Sequence, residues 1–66
     1  MRNNRKIEVG QVRQVNLATE SSYGDLYYIK GVYEDGYVNI SFINGYREGE
    51  ITSWHISSIQ EDVVVM

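Results

Sequence analysis

The chain predicts an all-β fold of five short strands, and two observations lead there. β-branched and aromatic residues recur with period two in runs bounded by Gly, Asp and Asn, while no stretch repeats at the helical period. Two Asx-Gly pairs, Asp35-Gly36 and Asn44-Gly45, supply turn residues where such runs must reverse.

The elements follow in order. "KIEVGQVRQVNL" reads as a first strand interrupted at Gly10 by a bulge. "ATESSYGD" is polar and forms a loop. Around Asp35-Gly36, a two-residue type I′ turn closes a hairpin with Glu34 facing Tyr37, Tyr33 facing Val38 and Ile29 facing Phe42. That register places Tyr27, Ile29, Tyr33, Val38, Ile40 and Phe42 on the core face, with Tyr28, Lys30, Tyr37, Asn39 and Ser41 opposite and Val32 out of phase. Gly31 falls mid-strand, opposite Ile40, where a strand bends sharply.

A tight turn at Asn44-Gly45 would set Phe42 against Arg47 and bury nothing, so "NGYREG" is expected as a wider loop that returns Ile51 near Phe42. "EITSW" is the fourth strand. "HISSI", with Ile56 and Ile59 three apart, suits a single 3₁₀ turn, and "QEDVVVM" supplies the last strand. "VVVM" is apolar on both faces, which implies either a covered central strand or pairing across a dimer.

Closing such a meander into a barrel removes its exposed edges. Through "EVGQVRQV", "YIKGVYEDGYVNISF" and "ITSWHISSIQED" the chain resembles the SH3-like small barrels, in the broad sense that includes Tudor and KOW domains. The expectation is a five-stranded SH3-like barrel over residues 7–66, with a 3₁₀ turn before the last strand and a flexible basic tail over residues 1–6. The acidic-aromatic first motif, tryptophan pair and groove proline of signalling SH3 domains are absent, so proline-rich ligands are not implied. A tiny acidic chain without a catalytic signature also resembles small bacteriophage or prophage accessory proteins.

Composition bounds the function. With 66 residues there is room for one domain, whose stability falls at the low end for natural domains. No cysteine is present to form a disulfide or a thiolate metal site. "MRNNRK" is followed by no apolar run of signal or membrane-span length, so a cytoplasmic protein with no membrane association is expected. Asn39-Ile40-Ser41 matches a glycosylation sequon that this reading leaves without a context. Of the six Lys and Arg residues, Arg2, Arg5 and Lys6 precede residue 7, which leaves Arg13, Lys30 and Arg47 against nine acids. An acidic body repels phosphate, so nucleic acid is disfavoured as a partner.

No enzyme constellation emerges, and neither a cofactor nor a metal is expected. His55 is the sole histidine; Glu48 and Glu50 are its only candidate co-ligands. Ser53 and His55 share a strand face without an orienting acid. The aromatics carry more. Six tyrosines are many for this length, and tyrosine is enriched in binding surfaces. Tyr23 and Tyr46 lie in polar loops where no core requires them, Tyr28 and Tyr37 cover the outer hairpin face, and Trp54 is half core. In SH3-like barrels the loops after the first and third strands flank the ligand groove, so the resemblance implies a site at Tyr23 and Tyr46. The expected function is a non-catalytic protein-binding module presenting Tyr23, Asp25, Tyr46, Arg47, Glu48 and Trp54, with Glu50 on its rim, to a partner of basic or mixed surface. In a phage setting it would occupy and modulate a host protein. The alternative is single-stranded nucleic-acid binding, with tyrosines stacking on bases and Arg2, Arg5, Lys6, Lys30 and Arg47 meeting phosphates. Monomer and homodimer both remain open.

Overall fold

A computed structural model of the chain describes residues 6–65, so all but Lys6 of the expected tail over residues 1–6 lies outside the described residues. Five strands form one antiparallel sheet: β1 (Val12–Gln14), β2 (Leu26–Val32), β3 (Tyr37–Phe42), β4 (Ile51–His55) and β5 (Val63–Val64), with a 3₁₀ turn at Ile56–Ser58. The spatial order is β4-β3-β2-β1-β5. The all-β class, the strand count and the 3₁₀ turn match expectation. The sheet is open, since β4 and β5 stand at its two ends and exchange no ladder bonds. Among the described residues no helix is long and apolar enough to cross a membrane.

The central hairpin forms where the sequence places it, with a different turn. Tyr33 N–H donates to Tyr37 O (2.9 Å) and Gly36 N–H to Tyr33 O (3.1 Å), so the loop holds three residues, Glu34, Asp35 and Gly36. Type I′ would need positive φ at Asp35, yet among the described residues only glycines have it, Gly36 at +90°. The Asp35 carboxylate instead accepts the Tyr37 N–H at 3.1 Å, a local bond that favours this wider turn. The register shifts accordingly: Val32 faces Val38, Ile29 faces Ile40 and Tyr27 faces Phe42. Lys30 is the extra residue of a bulge, and Gly31 lies opposite Asn39.

The bulge settles which side chains face inward. Tyr27, Ile29, Val38, Ile40 and Phe42 are buried, as the alternation predicts. Tyr33 is not; it is 53% exposed, and its hydroxyl accepts from Asn39 Nδ2 at 3.3 Å on the outer face. A bulge reverses the alternation, bringing Val32 into the row of Val38 and turning Tyr33 out. Tyr33 then covers Gly31, where an added Cβ would lie 2.8 Å from its hydroxyl oxygen.

The other expectations divide. The 43–50 loop is wide, with positive φ at Gly45 and Gly49, and Gly49 N–H donates to Phe42 O at 2.8 Å. Ile51 returns opposite Ser41. The interruption at Gly10 is a bulge, as expected: Gly10 N–H donates to Ile29 O and Gln11 O accepts the Ile29 N–H, both at 2.9 Å, so two residues oppose one. Gly10, at φ +95°, sits in a turn closed by Gln11 N–H to Glu8 O (3.2 Å), and β1 begins only at Val12. β5 is no central strand: it occupies a sheet end, two residues long, with Val63 and Val65 exposed.

Val15, Tyr27, Ile29, Val38, Ile40, Phe42 and Ile59 form the core, with Ile7, Trp54 and Ile56 packed against it. Beside it lies a buried polar cluster. Arg13, on β1, has no exposed surface, and Asp62 is 4% exposed. Arg13 Nη1 donates to the carbonyls of Ile59 (3.0 Å) and Asp62 (3.2 Å), and Nε donates to Gln11 Oε1 (3.0 Å). The Asp62 carboxylate accepts the Tyr27 hydroxyl at 2.5 Å and the Asn16 N–H at 2.9 Å. The first strand is thereby tied to the segment entering the last one.

Candidate binding groove

The loop after β1 is a chain of tight turns. Glu20 N–H donates to Leu17 O, Tyr23 N–H to Glu20 O and Asp25 N–H to Ser22 O, each within 3.0 Å. Asn16 anchors it, donating its N–H to Asp62 and its side-chain amide to Glu61 O at 3.2 Å. On the other flank the Ser21 and Tyr46 hydroxyls lie 2.6 Å apart, joining this loop to the 43–50 loop.

Between the anchored loop and the 3₁₀ turn lies a groove of about 330 Å³. Val15 and Trp54 supply its apolar floor, Leu17 and Ser57 its walls, and Glu20 and Glu61 its acidic rim, with Asp62 at its base. No Lys or Arg is among the lining residues. Trp54 is half-buried on the inner face of β4, its ring edge-on to Tyr27 (5.7 Å) and Phe42 (5.6 Å). Such ring contacts hold the indole in one orientation. Burial pushes the Asp62 carboxyl above its ordinary range, opposed by the Tyr27 and Asn16 bonds and the Arg13 charge; Glu20 adds to the rise.

Of the six residues the sequence singles out, Trp54 lines the groove. Tyr46 and Arg47 do not line it: the Arg47 guanidinium lies 5.4 Å from the Phe42 ring centre and 5.6 Å from that of Tyr46, with Glu50 at 3.9 Å. The Tyr46 ring is 69% exposed, and the Ser21 hydroxyl draws its phenol below the ordinary tyrosine range. Tyr23, 56% exposed, Asp25, beside Gly45, and Glu48, in the loop turn, do not line the groove.

Leu17 and Glu20 carry no site reading from the sequence, and the adjacent acids Glu61 and Asp62 read there as solvated turn residues, whereas Asp62 is buried. Leu17, an apolar residue alone in a polar loop, is the one signal that could have marked the groove. Among the described residues no group of three or more His, Cys, Asp and Glu is placed to hold a metal. His55 Nδ1 lies 2.9 Å from the Ser57 hydroxyl and accepts the Ser57 N–H, so the imidazole caps the 3₁₀ turn. The partner hydroxyl is that of Ser57, not of Ser53.

Comparison of the chain with protein families, with curated proteins and with solved structures finds no match.

Proposed function

We propose that this chain is a non-catalytic protein-binding module, SH3-like in architecture, that takes a partner segment into the groove between the loop after β1 and the 3₁₀ turn. One observation carries the reading: an apolar floor centred on Trp54 lies beneath an acidic rim of Glu20 and Glu61, with no cation among the lining residues. The complementary segment offers an apolar side chain to the indole and a Lys or Arg to the rim, on a partner of basic or mixed surface. Tyr46 and Arg47 extend the contact along one flank. In a cytoplasmic phage setting the action is steric, covering a host protein's surface.

The test is affinity capture from the native cell's lysate by wild type, by Glu20→Lys/Glu61→Lys and by Tyr23→Ala/Tyr46→Ala. A protein held by wild type, released by high salt and lost from the charge-reversed bait supports the groove. Retention by that bait, provided it is folded, rules the groove out. The 69% exposure of Tyr46 is what favours the alternative of base stacking. That alternative predicts nuclease-sensitive nucleic acid on the bait, strengthened by charge reversal at the rim.

A further inference from the structure

The end strand β4 carries a second feature. Phe42 N–H donates to Glu50 O (3.0 Å) and Ile56 N–H to Gly36 O (2.9 Å), so even-numbered residues along β4 bond to the hairpin. In an antiparallel ladder the alternate residues then point their N–H and C=O groups away. These are Ile51, Ser53 and His55, all exposed, and no backbone bond among the described residues reaches them. "ITSWH" contains no Lys, Arg, Asp, Glu or Pro, and its register with β3 runs without a bulge. Charge, proline and bulges are the usual guards of an exposed edge, and β4 has none of them.

We infer that β4 is a self-association edge, on which a second copy of this chain adds its own β4 antiparallel across a twofold axis at Ser53. In that register Ser53 faces Ser53 and Ile51 faces the second copy's His55, so the outward groups of all three residues find partners. Charge selects this arrangement. Parallel pairing in register would stack Glu50 on Glu50, whereas the antiparallel one sets Glu50 opposite the second copy's Ile56. Each acidic 43–50 loop then meets the other copy's uncharged 3₁₀ turn. A foreign strand is less suited, because strand addition gains specificity from side-chain pockets and the outer row here is only Ile51, Ser53 and His55. Five residues a side fall well short of the about 1,000 Å² of a stable interface, so the dimer forms at concentrations on the order of 0.1–1 mM.

Sedimentation equilibrium up to about 1 mM, with amide exchange read residue by residue, tests this. The expected result is a dimer whose formation slows exchange at Ile51, Ser53 and His55. Ser53→Lys and Ser53→Glu, both at an exposed position, each place like charges across the axis and stay monomeric. Mixed one to one, they associate roughly 5-fold or more tightly than either alone, because the opposed pair becomes Lys with Glu. Wild type that stays monomeric at 1 mM overturns the inference. So does a dimer indifferent to Ser53→Lys, or a mixture no tighter than its parts.

Discussion

Each flank of β3 carries a ladder of five residue pairs, and the inner row of the hairpin, Tyr27, Ile29, Val38, Ile40 and Phe42, is buried almost completely. On the far side of β2 the ladders shrink to three pairs with β1 and two between β1 and β5. There a fully buried guanidinium reaches two main-chain carbonyls that no strand pairs. The hairpin half is held by backbone pairing and apolar packing, the β1–β5 half by a charged side chain standing in for absent ladder bonds. Where strands are too short to satisfy their neighbours' carbonyls, something else must. A buried polar cluster does so only while every member is present.

The sharpest way to break this contrast is Arg13→Met. It keeps much of the volume but takes the guanidinium from the Asp62 carbonyl, one of two donors from the Ile59 carbonyl, and the positive charge from beside the buried Asp62 carboxylate, for an expected loss of about 3–5 kcal/mol in urea unfolding. That equals or exceeds the loss for Ile40→Ala in the hairpin core, about 2–5 kcal/mol. If Arg13→Met costs under about 1 kcal/mol, the two halves are not held differently.

Tyr27 joins the halves, its ring in the core and its hydroxyl on Asp62. Tyr27→Phe should cost about 1–3 kcal/mol at neutral pH. Burial, then the Asp62 bond, push the Tyr27 phenol far above its ordinary value. The folded chain therefore keeps a proton that the unfolded chain releases above about pH 10, and stability falls there by about 1.4 kcal/mol per pH unit. The contribution is full below that pH, so the deficit of Tyr27→Phe should shrink between pH 10 and 11. A constant deficit would mean that the phenol titrates normally in the fold. The smallest effect belongs to Tyr46→Phe, which loses only the exposed bond to Ser21 and should leave the urea midpoint unchanged.

The same contrast governs what the sequence reveals. The hairpin half is legible because period-two alternation and Asp35-Gly36 are local signals. The register eluded it because the three-residue loop depends on a side-chain bond from Asp35, and the bulge at Lys30 leaves only Gly31 as a trace. Arg13 and Asp62 read as ordinary body charges, since such residues are almost never fully buried unless paired. Trp54 was identifiable from its strand beside the 3₁₀ turn. Glu20 and Glu61 lie far apart in the chain, and only the bonds of Asn16 to residues 61 and 62 bring their segments together.

Arg13 also bears on the order in which the chain folds. Its carbonyl partners lie 46 and 49 positions away, whereas three residues close the hairpin. Closing so long a loop costs about 3 kcal/mol of entropy from length alone, before any bond offsets it. The expected order is therefore the hairpin as nucleus, with Arg13 engaging only after the barrier has been crossed. A milder change such as Arg13→Lys would then hasten unfolding and leave the folding rate where it was, making this residue a determinant of how long the folded state lasts and not of how fast it is reached.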